Sequence, residues 1–212
     1  MAKANELRIL LVQAGGTDWD REGRLAGAAD LPMSAEERAR LDASLAALPG
    51  LLAEHGGGSV DLVVCGPDEG SRETGQLVSK AFGDAKIKTL VRLADLHVGL
   101  WEGRLQEDLE ERCPRSYRQW IEDPASVTPP QGEAASEAED RVLVEIAKIA
   151  DKVKSERPTV AVVLRPTVYA LVRCWVEGLP TRSARNVLTG DPNDPIVVTV
   201  ARARFDRARA GL

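Results

Sequence analysis

Residues 12–32 read VQAGGTDWDREGRLAGAADLP, and they follow a short apolar run that begins at Leu7. The apolar residues Leu10, Leu11 and Val12 favour a buried central strand, which residues 13–16 then end abruptly. A tight exit from a strand into a loop is where α/β folds usually place their chemistry. We therefore expect the functional site to lie at the end of this first strand.

The loop after this strand carries a spaced set of residues that is specific enough to compare with a known family. The set comprises Gly15, Thr17, Arg24, Gly27, Asp30 and Pro32. At this spacing the chain resembles the opening of the histidine phosphatase superfamily, the phosphoglycerate-mutase-like proteins, and the resemblance covers about residues 7–180. It implies a three-layer α/β/α sandwich with a mostly parallel central sheet, and the alternation of β-rich and helical segments independently supports that architecture.

The chain departs from the family at the residues that carry the family's chemistry. The family strand ends in Arg-His-Gly, and its histidine accepts the phosphoryl group. Here Gln13 stands at the arginine position and Ala14 at the histidine position. An alanine cannot accept a phosphoryl group, so the resemblance implies no catalytic nucleophile at this position.

Two further basic residues of the family pocket are also replaced. With Thr74 as the anchor of the alignment, Gly70 takes the position of the family's second arginine. The family's second histidine corresponds to Arg165, which follows the apolar run of residues 159–164. Asp95 stands where the family has a proton-donating glutamate, and Asp20 stands where relatives have a neutral asparagine.

The resemblance therefore predicts a remodelled binding site rather than a catalytic one. Its candidate residues are Gln13, Gly15, Thr17, Asp20, Gly70, Asp95 and Arg165. Arg165 either holds an anion, such as a carboxylate, or forms an internal ion pair with Asp20 or Asp95. The ion pair is the favoured interpretation, because an unpaired arginine beside two carboxylates is costly.

Composition excludes several classes of protein. The chain has 212 residues, of which 43% are hydrophobic, and we expect a single domain over residues 1–212. A net charge of −5 gives no general attraction to nucleic acid or to an anionic membrane. No segment reads as a signal peptide or a membrane span, and three cysteines without a C-x-x-C pair favour a reducing, cytoplasmic location. The two histidines lack metal-ligand spacing, so we expect neither a metal site nor another cofactor.

Hydrophobic periodicity and helix- or turn-ending residues predict the positions of the strands and helices. Strands are predicted at residues 7–13, 60–65, 87–93, 159–164 and 195–200, and helices at 34–48, 51–55, 67–82, 104–121 with a break at Pro114, 137–156 and 169–176. Trp175 is predicted to be a core residue, whereas Trp19 and Trp101 are equally compatible with rim packing and with a ligand or partner surface. The four arginines after residue 201 are predicted to form a solvated surface.

Three functions are compatible with these residues. The favoured one is a catalytically impaired pseudophosphatase that binds an unknown small anion or a protein partner. The second is an enzyme that uses Asp20, Asp95 and Arg165 on a substrate other than a phosphate monoester. The third is a structural subunit, a homodimer among the options, that pairs through the helix at residues 137–156. Cys65 and Asp20 are the two candidates to replace the missing nucleophile, and neither is favoured. Cys65 is better explained as a buried core residue, and Asp20 has no accompanying metal motif.

Overall fold

The computed structural model describes residues 5–189 and 195–210, which contain five strands in one sheet and ten helices. The strands are β1 (Glu6–Gln13), β2 (Leu62–Cys65), β3 (Ile87–Thr89), β4 (Thr159–Leu164) and β5 (Ile196–Ala201). The helices are α1 (Asp18–Arg21), α2 (Ala35–Leu45), α3 (Leu48–Glu54), α4 (Glu69–Ala81), α5 (Gln106–Arg112), α6 (Pro114–Glu122), α7 (Ala135–Lys152), α8 (Pro166–Glu177), α9 (Ala184–Leu188) and α10 (Arg202–Ala210).

The sheet has the strand order β3-β2-β4-β1-β5, and β5 is antiparallel to β1 while the other pairs are parallel. Alternate residues of β1 point to opposite faces, as expected of a strand that is buried on both sides. Leu7, Ile9 and Leu11 pack in a large cluster with α7 and α8, whereas Leu10 and Val12 pack in a second cluster with α2, α3 and α4. The predicted three-layer sandwich with a mostly parallel sheet is confirmed.

The three central parallel strands end at the same edge of the sheet. Gln13 of β1 lies beside Leu164 of β4, and Cys65 of β2 lies beside Val163. The segments that follow these strands therefore meet at this edge. Six of the seven predicted site residues lie at the end of β1 or after β1, β2 and β4, whereas Asp95 follows β3. The topology therefore explains why residues so distant in sequence converge.

Several element boundaries differ from the prediction for local reasons. The strand predicted at residues 87–93 ends at Thr89, because a short 3₁₀ turn at Val91–Leu93 follows. Pro49 does not interrupt a helix, because it occupies the first turn of α3. Backbone N–H groups in a first turn have no hydrogen-bond partner within the helix, so a proline costs no bond there. Pro67 lies before α4, whose N-cap is Asp68. The capping pattern at Ser34 is confirmed, because its side chain accepts a hydrogen bond from the backbone N–H of Glu37.

The basic C-terminal segment is a helix that packs on the domain, so the prediction of a solvated surface is wrong for two of its arginines. Arg204 donates to the backbone carbonyls of Trp175 and Val176 at the C-terminus of α8, and its guanidinium lies 4.4 Å from the Trp175 ring centroid. Arg202 donates to the carbonyl of Ala150 near the end of α7. Cations at the negative end of a helix dipole stabilise that end.

The apolar residues of helix α7 are buried within the protein. Nine of its residues are buried, and the exposed ones are polar, namely Ser136, Glu137, Lys148, Asp151 and Lys152. A homodimer through this helix would therefore use a polar surface. Within the described ranges, no helix combines the length and apolar character that crossing a membrane requires.

Candidate functional site

Arg165 is the central charge of the site. It follows β4 directly and caps α8, and its side chain is only 3% exposed. Its Nη1 donates to the backbone carbonyl of Gly15 at 3.1 Å, and its Nη2 lies 3.0 Å from Oδ2 of Asp20. Of the two interpretations of Arg165, the internal ion pair with Asp20 is therefore the one present.

Asp20 is fixed by the loop after β1. Its Oδ2 accepts from the backbone N–H of Thr17 at 2.6 Å and from the Thr17 hydroxyl at 2.7 Å, in addition to the guanidinium of Arg165. This is a capping box, in which Thr17 and Asp20 satisfy each other at the start of α1. Among the described residues, the other oxygen, Oδ1, has only a 3.4 Å contact with Nη2 of Arg165, and the side chain is 35% exposed. One carboxylate oxygen therefore remains open to a ligand.

Asp95 lies on the other side of Arg165 and is 95% buried, with a residual exposure of 5%. Its Oδ1 accepts from the backbone N–H of Val168 at 2.9 Å, in the first turn of α8. Burial raises the pKa of Asp95 to about 6, although the charge of Arg165 and the backbone donors of Val168 and Leu96 act in the opposite direction. The same carboxylate thus stabilises a helix terminus and holds a proton unusually tightly.

These three residues share one cavity of about 310 Å³. Aromatic and aliphatic side chains also line it, namely Leu188 of α9 and the rings of Tyr117 and Trp120 of α6, which stack at 6.2 Å between centroids. The remaining lining residues are Arg24, Leu25, Ala26, Gly27, Val98, Gln106, Ile121, Pro124, Pro166, Thr167, Arg185 and Thr189. The cavity is therefore charged at one end and apolar along its side.

Ala14, at the family's nucleophile position, does not line this cavity and belongs to the second hydrophobic cluster. It is 2% exposed and clusters with Val12, Met33 and Leu41. Gln13 is half-buried, and neither residue lines the cavity. The end of β1 thus contributes packing where the family has its reactive imidazole.

Gly70, at the position of the family's second arginine, is covered by the loop at residues 31–33. Its N–H donates to the carbonyl of Leu31 at 2.8 Å, and a Cβ at this position would lie 3.3 Å from the same oxygen. The loop is also tied to α4 through Glu73, which accepts from the N–H of Met33 at 2.8 Å. Gly15 is equally enclosed, since its N–H donates to the Thr74 hydroxyl at 3.0 Å. The space of a second guanidinium is therefore occupied by backbone.

The other candidates for chemistry lie elsewhere. His55 and His97 are exposed, and neither lines the cavity. Cys65 is fully buried, and burial raises the pKa of its thiol. That environment favours the neutral thiol of a core residue over a thiolate nucleophile.

Of the seven predicted site residues, the structure brings Asp20, Asp95 and Arg165 to one cavity. Gly15 and Thr17 do not line the cavity but position two of these residues, since the Gly15 carbonyl accepts from Arg165 and the Thr17 N–H donates to Asp20. Gln13 and Gly70 lie outside the cavity. Trp101 is a core residue at 4% exposure, in edge-to-face contact with Tyr117 and Trp120.

The sequence reasoning missed the aromatic wall of the cavity. Tyr117, Trp120 and Ile121 lie at the i, i+3, i+4 spacing of one helix face, and this spacing was the available signal. It identifies an apolar face but does not distinguish a cavity wall from a core.

Comparison with protein families gives a match to the histidine phosphatase superfamily (branch 1) over residues 9–206. The chain belongs to this superfamily. This histidine phosphatase relative is 31% identical over 138 residues to the "probable phosphoglycerate mutase GpmB" of Serratia proteamaculans, a match that covers 64% of the chain and 60% of that protein. It is 29% identical over 136 residues to phosphoserine phosphatase 1 of Hydrogenobacter thermophilus, covering 64% and 61%. The matched stretch thus spans about 60% of the length of these two curated relatives.

Solved structures agree on the fold. A protein described as mycobacterial hydrolase 1 superimposes with a TM-score of 0.72 at 19% identity, covering 85% of each chain. The α-ribazole phosphatase from Shigella flexneri superimposes with a TM-score of 0.67 at 24% identity, covering 84% of each chain. At these identities the likeness establishes the histidine phosphatase fold and leaves the activity to be argued from the site.

Proposed function

We propose that this chain is a histidine phosphatase superfamily member that has lost phosphoryl transfer and acts as a binding or regulatory module. The observation that carries the proposal is the environment of Ala14, whose methyl group packs in an apolar cluster with Val12 and Met33. A phosphohistidine route needs an imidazole at the end of β1, and no histidine lines the cavity described here.

The electrostatics of the site support the same conclusion. The family resemblance implies two arginines and two histidines around a phosphate. Here Gln13 and Gly70 stand at the two arginine positions, and Arg165, at a histidine position, already pairs with Asp20 at 3.0 Å. Two unit charges about 4 Å apart interact by about 4 kcal/mol at an effective dielectric constant near 20. Loss of both family arginines, together with the internal pairing of Arg165, therefore removes most of the affinity for a phosphate dianion.

The relatives named above are a mutase and phosphatases, so a phosphate ester is the substrate class against which the proposal is tested. The experiment measures phosphate release from an aryl phosphate and from phosphoglycerate by the purified protein. A parallel variant carries Gln13→Arg, Ala14→His, Gly70→Arg and Arg165→His. We expect no turnover by the parent above a heat-inactivated control. Turnover by the parent that Asp95→Ala abolishes would contradict the proposal.

A second function is favoured by one specific observation. Asp95 and Arg165 line the same cavity as Asp20, and the pKa of Asp95 is raised to about 6, which suits proton exchange near neutral pH. On this alternative the chain is an enzyme that acts on a substrate without a phosphate monoester. A screen of neutral and carboxylate substrates tests it, with Asp95→Asn as the inactivating variant. If none of the screened substrates is converted, the enzymatic alternative is wrong and the binding function remains the proposal.

We also propose a reducing, cytoplasmic location. Cys65, Cys113 and Cys174 are free thiols, and two of them are buried. Free buried cysteines are typical of proteins that stay reduced. Fractionation of the source cells tests this proposal.

A further inference from the structure

The charged end of the cavity has the opposite sign from a phosphate site. Three carboxylates, those of Asp20, Asp95 and Asp68, act on the single guanidinium of Arg165, which leaves a formal charge of −2 when all four are ionised. Asp68 is 95% buried, and its Oδ2 has no hydrogen-bond donor in the part of the chain that the structure describes. Asp68 does not line the cavity, but its charge adds to those of Asp20 and Asp95, which do, so the guanidinium of Arg165 does not neutralise this end.

The open acceptor at this end is Oδ1 of Asp20. Arg165 is committed to the carbonyl of Gly15 and to Oδ2 of Asp20, so its guanidinium is not available as a fork for a ligand carboxylate. Within the part of the chain that the structure describes, Oδ1 has only the 3.4 Å contact with Arg165, and the carboxylate reaches the cavity. A donor on a ligand would complete the coordination of Asp20, whereas an anion would meet repulsion from the two carboxylates that line the cavity, Asp20 and Asp95.

The apolar wall defines the rest of the ligand. Tyr117 and Trp120 offer aromatic surface to the cavity, and Leu188 extends it. Aromatic faces attract cations as well as apolar groups. A volume of about 310 Å³ lies at the lower end of the range of small-molecule pockets, about 300–1,000 Å³.

The two arginines at the rim do not reverse this polarity. Arg24 forms an ion pair with Glu22 at 2.8 Å and donates to the carbonyl of Gly103. Arg185 is exposed and donates to the carbonyl of Ile121 at 3.3 Å. The charge of Arg24 is thus offset by Glu22, and solvent screens the exposed Arg185 more than it screens the buried Asp95.

We propose that the cavity binds a small organic cation, a protonated amine with a compact apolar body, whose ammonium group donates to Asp20 while the body lies on Tyr117 and Trp120. This inference specifies the ligand class of the binding module and rests on the proposed loss of phosphoryl transfer. It replaces the expectation of a small anion with a ligand of the opposite charge.

The first test uses four probes that share a phenylethyl body. They are 2-phenylethylamine, 2-phenylethanol, 3-phenylpropionate and 2-phenylethyl phosphate, each titrated into the full chain by calorimetry. We expect the amine to bind at least about tenfold more tightly than the alcohol, since a charge-assisted hydrogen bond contributes about 1.5–3 kcal/mol and about 1.4 kcal/mol is tenfold. Equal binding of amine and alcohol, tighter binding of the carboxylate, or no binding of the amine would overturn the inference.

Variants then locate the interaction. Asp20→Asn is expected to weaken amine binding about 10- to 100-fold and to leave the alcohol unchanged. Asp18→Asn is the matched control, because Asp18 lies on the same helix, pairs with Arg21 on the surface and does not line the cavity. An equal loss in both variants would show that Asp20 is not the ligand's partner.

A second pair of variants leaves the Arg165 network intact, in case Asp20→Asn does not fold. Gln106 is exposed and lines the cavity rim, so it tolerates charged replacements. Gln106→Glu is expected to strengthen and Gln106→Lys to weaken amine binding, each by a few-fold at low ionic strength. Identical affinities in the two variants would overturn the inference.

The phosphate probe separates the two proposals. Release of inorganic phosphate from 2-phenylethyl phosphate would contradict the proposed loss of phosphoryl transfer, whatever the amine does. Absence of phosphate release together with absence of amine binding would overturn the ligand class alone.

Discussion

Replacing Asp95 by asparagine should change how the stability of the protein depends on pH. Asp95 is 95% buried and accepts from the N–H of Val168, a bond that an asparagine oxygen can also accept. Burial raises the pKa of Asp95 from 3.8 to about 6. Because the folded pKa lies above the unfolded value, the folded state binds the proton more tightly. The stabilising contribution is therefore present at low pH and is lost as pH rises through about 6.

The size of the effect follows from the shift. A rise from 3.8 to about 6 corresponds to about 3 kcal/mol over the whole titration, at about 1.36 kcal/mol for each pH unit. Between about pH 4.5 and about pH 7.5, roughly 2 kcal/mol of this is lost from the parent. Asp95→Asn has no titrating group at this position and does not lose that contribution. As pH rises across this range, the free energy of unfolding of the variant should therefore increase by about 2 kcal/mol relative to that of the parent.

The measurement is urea unfolding followed by tryptophan fluorescence at a series of pH values. The matched control is Asp42→Asn, since Asp42 is exposed on α2. All other titrating groups are shared, so the difference between variant and parent isolates Asp95. A difference that stays constant from acid to neutral pH would refute the claim that burial of Asp95 controls its protonation.

Three further outcomes follow from the packing. Gly70→Arg should lower the melting temperature, because its Cβ would lie 3.3 Å from the Leu31 carbonyl, whereas Gly50→Arg, with no atom within 4 Å of its Cβ, should leave it unchanged in thermal unfolding. Ala14→His alone should cost about 1–3 kcal/mol of unfolding free energy through overpacking, and a phosphatase assay should stay silent. Arg204→Ala should cost about 1–2 kcal/mol in urea unfolding, as it removes the carbonyl bonds and cation–π contact at the end of α8; an unchanged midpoint would contradict this.

Much of the fold was predictable because its signals are local. The continuous apolar run at β4 and the glycine that closes α8 are each read from adjacent residues, and both predictions are confirmed. The helix α10 was missed, because its amphipathic pattern is weak. Its packing depends instead on carbonyls at the end of α8 and on the ring of Trp175. Such partners are distant in sequence, and no periodicity within residues 202–210 points to them.

The candidate site, like the fold, was predictable from the sequence only in part. The family motif located Asp20, Asp95 and Arg165, because each follows a strand or lies in the motif's own spacing. It did not predict that the loop at residues 31–33 would close over Gly70, since that contact joins two elements through backbone atoms. It also did not reveal the cavity, because Trp120 reads from sequence as one more residue of an apolar helix face.

The replacements in this site are mutually consistent, and that consistency is the strongest argument for a changed ligand. A guanidinium at position 165 without Asp20 would lose its ion-pair partner, and Asp20 without Arg165 would lose the guanidinium that lies 3.0 Å from its Oδ2. An arginine restored at position 70 would meet the Leu31 carbonyl, and a histidine at position 14 would enter an apolar cluster. Random loss of a nucleophile would leave the remaining phosphate contacts in place. Here Gln13 and Gly70 replace both family arginines, and Arg165 pairs with Asp20 beside a cavity of about 310 Å³, which is the pattern that the proposed change of ligand predicts.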